Sequence, residues 1–320
     1  MKIKQIRPSA LMKISKKEYE KDLAFYRGES EKFQHRNCPG CLRINNGDFY
    51  LTHNGFTFSR CEACWTIYMN PGPTNAIVDR LYKSSNVYKY WSKEVYPKTT
   101  KQRREKLAEP RANFTKEALR SEHKEPRTVI EIGSGTGDVL ETLKVSFPEC
   151  KFAAIEPNPD MWKILMGKNI DLIQDNFINA KITEKVDAIL AFEVVEHLLN
   201  PKEFFAFAKS HLVIGGLLIF STPNAASIEV QFIKDNSNTV DIEHISLLTP
   251  SAIHSLASEN GFEVRKIITP GEFDLELISK EHIALKIIFA MIPSLRKYLQ
   301  NKISKFGYSS HMKVVLIRKS

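Results

Sequence analysis

The chain has 320 residues, of which 42% are hydrophobic and 26% charged, with a formal net charge of +9 at pH 7. These fractions are ordinary for a globular protein and exclude a disordered or fibrous chain, while the length allows one large domain and a small one. No apolar run resembles the core of a signal peptide or is long enough to span a bilayer. The sequence therefore predicts a cytoplasmic protein without a transmembrane segment.

The excess positive charge raises the question of nucleic-acid binding. Much of it lies in residues 98–106 and 295–319. Neither stretch alternates basic with aromatic residues, as a surface for single-stranded nucleic acid does. A solvated basic surface is therefore favoured, and it would also suit an anionic small molecule such as a nucleotide sugar.

The first 125 residues are predicted to form three segments. Residues 1–35 form a helical segment, because apolar residues punctuate a charged stretch. Residues 36–73 contain cysteines, turn residues and alternating aromatics, and they end in a Pro/Gly cluster that marks a boundary. Residues 74–125 form a helical cap or linker, in which Tyr88, Tyr90 and Trp91 are hypothesised to cover a ligand.

Four of the five cysteines form two pairs, Cys38 with Cys41 and Cys61 with Cys64. Each C-x2-C turn aims two thiolates at one ion, and two such turns complete a tetrahedral zinc shell. Residues 49–51 and 56–58, between the pairs, alternate like the strands of a hairpin. The pattern predicts a structural zinc ribbon, and the alternative is four unrelated buried cysteines.

Residues 126–320 alternate strands with helices. Short apolar runs predict strands at 128–132, 152–155, 171–173, 186–190, 217–220, 263–269 and 312–318. Their nearly continuous apolar character indicates burial on both faces, so the fold class is α/β: a Rossmann-like, doubly wound, mostly parallel seven-stranded sheet. A helical insert at about 280–308 could bury against the sheet, a second subunit or a lipid-linked substrate. The sheet or a second subunit is expected, and the latter would make the protein a homodimer.

The first strand of this sheet ends in a loop that runs from Gly133 through Ser134 and Gly135 to Gly137. Glycines let the backbone approach a ligand closely, and the following helix N-terminus offers free N–H groups. The spacing lacks the second half of the dinucleotide fingerprint, and Glu131 ahead of it would attract a cationic amino-acid group and repel a pyrophosphate. These features favour S-adenosylmethionine (SAM) and disfavour an NAD-dependent oxidoreductase.

Two acidic residues complete the predicted cofactor site. Glu156, followed by Pro157, ends the second strand, where it can accept hydrogen bonds from both ribose hydroxyls. Asp175 ends the third strand, where it can accept a hydrogen bond from an adenine amino group. The carboxyl ends of neighbouring parallel strands lie at one edge of a sheet, so both acids are expected beside the glycine loop.

Residues 126–271 resemble the class I SAM-dependent methyltransferases. The resemblance rests on the motif Val-Ile-Glu-Ile-Gly-Ser-Gly-Thr-Gly, on Glu156 and on Phe-Glu-Val-Val-Glu-His-Leu at 192–198. The last stretch is similar to ubiquinone-biosynthesis-type O-methyltransferases. The ribbon and the tyrosine-rich helix after it resemble zinc-ribbon methyltransferases associated with sugar or surface-polysaccharide modification.

The first resemblance implies roles for individual residues. It implies that the three glycines hold the methionine part of the cofactor and that Glu156 binds its ribose. Asp175 and Asn176 would contact the adenine edge. Phe192 or Glu193 would line the pocket near the sulfonium.

Glu243 and His244 are the first candidates for a general base. They follow the fifth strand and precede a helix start, which predicts a loop at the carboxyl end of the sheet. A histidine titrates near neutral pH, and Glu243 beside it is expected to raise its basicity. The pair also resembles a motif of sugar C-methyltransferases, in which it is the proposed base. The alternative is a surface histidine that pairs locally with an acid.

Glu193, Glu196 and His197 form a second group of candidates. Their spacing would place them on one face of a starting helix, where they could hold a divalent metal ion, and the ubiquinone-type resemblance implies such a site. Alternatively, the glutamates complement the helix dipole without a metal. His197 is also a candidate catalytic residue.

The sequence as a whole predicts SAM-dependent methyl transfer to a small polar metabolite, a sugar or nucleotide sugar, at oxygen, nitrogen or carbon. An RNA or protein methyltransferase is the alternative enzyme, although Ala191-Phe-Glu-Val replaces the motif typical of base-amine methylation after the fourth strand. A non-catalytic scaffold is the other alternative, and the glycine loop with its two acids argues against it.

Overall fold

The computed structural model describes residues 5–44, 47–123, 125–234, 237, 239–271 and 283–319. Its strands are β1 Gly47–His53, β2 Phe56–Cys61, β3 Ile67–Met69, β4 Thr128–Ile132, β5 Lys151–Ile155, β6 Asp171–Ile173, β7 Val186–Phe192, β8 Leu212–Pro223, β9 Ser246–Leu247, β10 Phe262–Ile268 and β11 His311–Arg318. Its α-helices are α1 Ser9–Glu29, α2 Asn75–Ser84, α3 Asn86–Tyr90, α4 Tyr96–Arg103, α5 Glu109–Ser121, α6 Asp138–Ser146, α7 Pro159–Met166, α8 Pro201–His211, α9 Ile228–Ile233, α10 Pro250–Glu259, α11 Ile283–Met291 and α12 Pro293–Lys305.

A seven-stranded sheet forms the centre of the molecule, in the order β10-β11-β8-β7-β4-β5-β6. β11 is antiparallel to both of its neighbours, and the pairs among β8, β7, β4, β5 and β6 are parallel. The prediction of a doubly wound, mostly parallel sheet is confirmed. The carboxyl ends of the parallel strands therefore share one edge, which we call the catalytic edge.

Both faces of the sheet are buried. Val129 on β4 belongs to a cluster with Leu140 of α6, whereas its neighbour Ile130 belongs to a cluster with Phe204 of α8 on the other face. This alternation follows from the period of two along a strand. It explains why the central strands β4 and β7 are nearly continuous apolar runs, and thus why these runs could be located in the sequence.

The ribbon is joined to the central domain by shared structure. β1 and β2 form the predicted antiparallel hairpin, β2 pairs with β3, and β3 pairs with β9, which lies between β8 and α10 in the chain. Thr249 at the start of α10 donates a hydrogen bond to the Cys64 carbonyl at 2.6 Å. Arg36, at the start of the ribbon, donates to the Leu199 carbonyl at 2.6 Å and to the Ser246 hydroxyl at 2.7 Å. The two parts therefore form one folded body.

The N-terminal helix covers the ribbon and the helical cap. Leu23 and Tyr26 of α1 belong to a buried cluster with Phe56 and Phe58 of β2. On the same helix, buried Asp22 accepts hydrogen bonds from residues at the start of α3: the Ser85 hydroxyl at 2.6 Å, the Asn86 backbone N–H and side-chain amide at 2.8 Å each, and the Val87 N–H at 3.1 Å. This carboxylate joins α1 to the cap, together with hydrogen bonds from Tyr90 to the Leu11 carbonyl at 3.2 Å and from Trp91 to the Ser15 hydroxyl at 2.8 Å.

The helical insert differs from its prediction. Residues 280–282 lie outside the described residues, and the rest forms α11 and α12 between β10 and β11. The apolar side chains of α11 whose exposure is described are not buried against the sheet: Ile283, Ile287, Ile288 and Met291 are 42–75% exposed. The expectation of burial against the sheet is therefore wrong. Within the described residues, none of the helices has the length and apolar character needed to cross a membrane.

Candidate functional site

The glycine loop connects β4 to α6 at the catalytic edge. Gly133, Gly135 and Gly137 have φ angles of 65°, 55° and 71°, which residues with a side chain rarely adopt. A Cβ atom on Gly133 would lie 2.8 Å from Val194, and one on Gly137 would lie 2.6 Å from Leu165. A Cβ atom on Gly135 would meet nothing within 4 Å. The backbone therefore borders open space at Gly135, where a ligand has room.

Two polar atoms beside this loop are buried without a hydrogen-bond partner among the described residues: Oε2 of Glu131 and Oγ of Ser134. Burial raises the pKa of Glu131 to about 8, and the nearby Arg111 opposes this shift. Unpaired buried polar atoms are costly and rare in proteins. The ammonium group of a bound amino acid would supply the missing donor for Glu131.

Glu156 lies directly after β5, as predicted, and contacts the glycine loop. Its Oε2 accepts a hydrogen bond from Gly135 N–H at 2.7 Å, and its Oε1 accepts one from Asn158 N–H at 2.9 Å. Burial raises its pKa, although the two N–H donors oppose this shift. The next residue, half-buried Pro157, precedes the start of α7, and Trp162 of that helix donates to the Glu156 carbonyl at 2.8 Å.

Asp175 and Asn176 follow β6 at the same edge and are half-buried. Oδ1 of Asp175 accepts hydrogen bonds from Asn176 N–H at 2.8 Å and from the Asn179 amide at 3.3 Å. The loop thus holds the Asp175 carboxylate in a fixed position. Its position after the neighbouring strand agrees with the predicted order of acids along the edge.

Phe192 ends β7, and the Arg111 guanidinium lies 5.4 Å from its ring centroid. Glu193 follows with a φ of 59°, an uncommon conformation for a residue other than glycine. Its carboxylate accepts a hydrogen bond from the Ser221 hydroxyl at 2.5 Å and lies 3.2 Å from His311 Nε2. Burial alone would raise the pKa of Glu193, but His311 and Arg111 outweigh it and hold the pKa below its usual range.

The structure therefore corrects the predicted grouping of Glu193 with Glu196 and His197. Residues Val195–His197 form a 3₁₀ turn that begins after Glu193, so the three side chains do not share a helix face. Glu193 faces β8 and β11, whereas Glu196 and His197 come close to His244. The ligand atoms of Glu196, His197 and His244 lie within 4.8 Å of one another.

His197 and His244 lie side by side, with ring centroids 5.0 Å apart. Nδ1 of His197 is 2.9 Å from the Glu243 carbonyl oxygen, and Nδ1 of His244 is 2.8 Å from the Thr239 carbonyl oxygen. Because a carbonyl oxygen only accepts, each Nδ1 carries a hydrogen and donates it to its carbonyl. Burial, and then the neighbouring His244, lowers the pKa of His197 to about 3, so this ring is neutral at pH 7.

Glu243 does not act on His244 as predicted. Its carboxylate accepts a hydrogen bond from the Tyr88 hydroxyl at 2.9 Å, and its backbone carbonyl orients His197. Burial, followed by the charge of Asp241, raises the pKa of Glu243 to about 8. The expectation that Glu243 raises the basicity of His244 by direct pairing is therefore wrong, because the carboxylate is directed towards the cap helix α3.

Glu196 is the most enclosed acid of this group, with 0% of its surface exposed. Its Oε2 accepts a hydrogen bond from the Thr222 hydroxyl at 3.0 Å, while its Oε1 has no partner among the described residues. Burial, and then the charge of Glu193, raises its pKa well above the usual value. A cation beside this carboxyl group would favour its ionised form.

The four paired cysteines converge at the base of the ribbon. The sulfur atoms of Cys38 and Cys64 are 3.5 Å apart, those of Cys41 and Cys61 are 3.6 Å apart, and all four lie within 4.8 Å of one another. A tetrahedral zinc ion with Zn–S bonds of about 2.3 Å has sulfurs about 3.8 Å apart. The thiols are therefore arranged as a zinc S4 site requires.

Arg111 and His311 were missed by the sequence analysis. Arg111 lies on α5, before the first strand of the sheet, and its guanidinium is 3.7 Å from the Glu193 carboxylate. His311 is the first residue of β11. Because β11 is antiparallel, its first residue lies at the catalytic edge, and this position was the available signal.

Comparisons with known proteins identify the family of the chain. A family model described as a methyltransferase domain matches residues 100–267, more than half of the chain. Malonyl-(acyl-carrier protein) O-methyltransferase of Halalkalibacterium halodurans is 30% identical over 126 residues, 37% of this chain and 46% of that protein. The mitochondrial ubiquinone biosynthesis O-methyltransferase of Dictyostelium discoideum is 27% identical over 93 residues, 28% of this chain and 27% of that protein. The chain thus spans less than half the length of these curated relatives.

A solved structure shows the same fold. The S-adenosylmethionine-dependent methyltransferase from Clostridium acetobutylicum aligns with a TM-score of 0.50 and 12% identity, covering 71% of this chain and 97% of that one. At this identity the likeness concerns the fold alone. Together with the match over residues 100–267, it means that the chain belongs to the methyltransferase domain family.

Proposed function

We propose that the protein transfers a methyl group from SAM to a hydroxyl or carbon of a small polar acceptor, a sugar or a nucleotide sugar. The two imidazoles that backbone carbonyls hold side by side at the catalytic edge carry this proposal. Each carbonyl occupies Nδ1, which leaves Nε2 as the atom that would accept a proton. The lowered pKa of His197 makes that ring a weak base, so we favour His244 as the base and His197 as its neighbour.

The cofactor site is proposed to be the glycine loop with the acids around it. When bound, SAM supplies an activated methyl group on a sulfonium. Glu131 would accept a hydrogen bond from its ammonium group, and Glu156 would bind its ribose in place of its present bond to Gly135 N–H. The adenine would be contacted by Asp175 and Asn176, and the sulfonium side of the pocket would be lined by Phe192 and Glu193. The remaining wall of the pocket would be formed by Gly133, Ser134, Gly137 and Pro157.

The chain segment after β7 brings the imidazoles close to this pocket. Val194 lies against Gly133, and His197 follows it by three residues. His197 or His244 would hold the proton that leaves the acceptor, and Tyr88 and Glu243 would position the His197 ring through the Glu243 carbonyl. Removal of a proton is needed for a hydroxyl or an acidic C–H group, both of which sugars offer.

A carboxyl acceptor on a carrier protein is the second candidate, because a malonyl-(acyl-carrier protein) O-methyltransferase is among the relatives. A carboxylate is already ionised at pH 7 and needs no general base. The two fixed imidazoles therefore favour the hydroxyl or carbon acceptor. RNA or protein acceptors and a scaffold without activity stay as the further alternatives.

We also propose metal sites of two kinds. The first is a structural zinc site in the ribbon of residues 36–73, which would hold the ion through Cys38, Cys41, Cys61 and Cys64. The ribbon lies between the helical segment 1–35 and the cap 74–125 in the chain. At the catalytic edge, Glu196, His197 and His244 offer one carboxylate and two imidazoles, a donor set that divalent metals accept. A metal held there by both Nε2 atoms would replace the role of the imidazoles as bases, so this site is the alternative to that role. Metal analysis of the cysteine-intact protein separates the two cases: one zinc per chain indicates the ribbon alone, and two metals per chain indicate both.

The cofactor assignment is tested by calorimetric titration of the zinc-loaded protein with SAM and, separately, with NAD. We expect saturable SAM binding that Glu156→Ala weakens by about 100-fold, because each lost charge-assisted hydrogen bond contributes about 1.5–3 kcal/mol. Glu149→Ala, which removes an exposed acid just before β5 at the opposite end of that strand, is the matched control and should bind SAM normally. Binding of NAD in place of SAM would overturn the assignment.

The role of the imidazoles is tested by screening nucleotide sugars for formation of S-adenosylhomocysteine. With the accepted sugar, His197→Ala and His244→Ala should lower kcat about 100- to 10,000-fold while SAM binding is retained. His254→Ala removes an exposed histidine of α10 and serves as the control. If both catalytic variants keep full activity, neither histidine is the base. If the wild type accepts none of the nucleotide sugars, the carboxyl acceptor becomes the better candidate.

A further inference from the structure

The helix α11 presents an apolar face to solvent. Ile283, Ile287, Ile288 and Met291 are 42–75% exposed, and Ile292 directly after the helix is 47% exposed. A surface helix of a globular protein normally directs such residues to the core. Several adjacent apolar side chains in solvent mark an interaction site.

The neighbouring helix α12 supplies positive charge and aromatic rings. Lys297, Lys302 and Lys305 are exposed, and so is Tyr298. Between residues 283 and 308 the sequence contains five Lys or Arg residues and no Asp or Glu. We call residues 283–308 the α11–α12 hairpin.

The base of the hairpin is attached to the catalytic edge. Ser304 and Thr269 exchange two hydrogen bonds, at 2.7 and 2.9 Å, between the end of α12 and the residue after β10. The Asn224 side chain, directly after β8, donates to the Gly307 carbonyl at 2.8 Å. The exposed face of α11 therefore lies on a segment fixed at the end of the sheet that also carries the glycine loop and the imidazoles.

Charge decides between the occupants of this face. A second copy of the chain would bring two sets of five cations together without an acidic residue between 283 and 308 to neutralise them. An anionic lipid surface offers the opposite charge, an apolar layer for α11 and an interface where tyrosines are favourable. The nine residues of α11 are too few to cross a bilayer but suit a helix that lies in its surface.

We propose that the α11–α12 hairpin is an interfacial membrane anchor: α11 inserts its apolar face into the surface of an anionic bilayer, and the lysines of α12 contact the lipid headgroups. The anchor brings the catalytic edge to the membrane. The proposal concerns a surface separate from the cofactor site, so it does not depend on the acceptor.

Flotation of the full-length, zinc-loaded protein with lipid vesicles tests the anchor. We expect the protein to float with vesicles that contain phosphatidylglycerol and to bind pure phosphatidylcholine vesicles much more weakly, with the difference reduced by high salt. The double variant Ile287→Glu/Met291→Glu should bind the anionic vesicles at least about tenfold more weakly, because it places charge on the inserted face. Replacing Lys297, Lys302 and Lys305 by Gln should weaken binding to anionic vesicles only.

Val145→Glu is the matched control, because Val145 of α6 is exposed but lies outside the hairpin. Its flotation should equal that of the wild type, and SAM binding by all variants verifies that they are folded. The proposal is overturned if the wild type stays with the unbound fraction, or if Val145→Glu lowers binding as much as the double variant does. A dimer in solution that Ile287→Glu/Met291→Glu dissociates, without vesicle binding by the wild type, would assign the face to a second copy instead.

Discussion

At the scale of single residues, Glu131 is a group whose ionisation differs between the folded and the unfolded chain. Its folded pKa is raised to about 8 by burial, whereas an unfolded glutamate titrates near about 4.3. Between these values the folded state keeps the proton that the unfolded state has lost. The resulting contribution to the free energy of unfolding is fully present below the unfolded pKa and is lost as pH rises through the folded pKa.

Glu131→Gln is therefore expected to remove this pH dependence. Urea denaturation of wild type and variant, without cofactor, from about pH 5 to pH 8.5, should show the wild type losing stability relative to the variant as pH rises. Saturating SAM should reduce the difference, because an ammonium group favours the ionised carboxyl. Parallel pH profiles without cofactor would contradict the raised pKa.

The candidate site was predictable to the extent that it is local in sequence. Glu131, the glycines and Glu156 are recognisable because a strand, a tight turn and a helix start follow one another within a few residues. The partners of Glu243 and Glu193 were not predictable, because Tyr88 is 155 positions from Glu243 and His311 is more than 100 positions from Glu193. Only the packing of α3 and β11 against the edge brings them together.

At the scale of elements, Asp22 makes the most hydrogen bonds of the described residues that connect α1 to the cap. Its buried carboxylate accepts hydrogen bonds from Ser85, Asn86 and Val87. Asp22→Ala leaves these donors without their acceptor and is expected to lower the free energy of unfolding by about 2–4 kcal/mol. Urea denaturation measures the loss, and Glu20→Ala, which removes an exposed acid from the same helix, should change stability by less than about 0.5 kcal/mol. Equal stability of the two variants would exclude the connection.

The elements also differ in how well the sequence predicted them. All seven strands of the central sheet were located, since parallel strands buried on both faces are continuous apolar runs. β9 was missed, because two residues, Ser246 and Leu247, are too few to show a period. The insert was assigned correctly as helical. The direction of its apolar face depends on the elements that surround it in the fold, and hydrophobic periodicity gives no information about those elements.

At the scale of the whole molecule, the ribbon and the central domain share one hydrophobic core. Cys38, Cys61 and Cys64 belong to the same buried cluster as Ile130 and Phe220 of the sheet. We therefore expect the two parts to unfold together. Trp65 in the ribbon and Trp162 in α7 provide separate fluorescence probes in variants that retain only one of them, with the other tryptophans replaced by Phe. Their urea midpoints should coincide, and an earlier midpoint for Trp65 would show an independent ribbon.

Because of β9, the formation of the catalytic edge is expected to depend on the supply of zinc. This strand pairs with the ribbon, and it follows His244 by two residues in the chain. In a newly synthesised chain without zinc, the ribbon strand β3 is expected to be disordered, so β9 would have no strand to pair with. The loop that carries His244 would then no longer be held in place by β9. Under the proposed zinc assignment, metallation acts as a maturation step. In a metal-starved cell, zinc availability would then limit activity more than the amount of protein made.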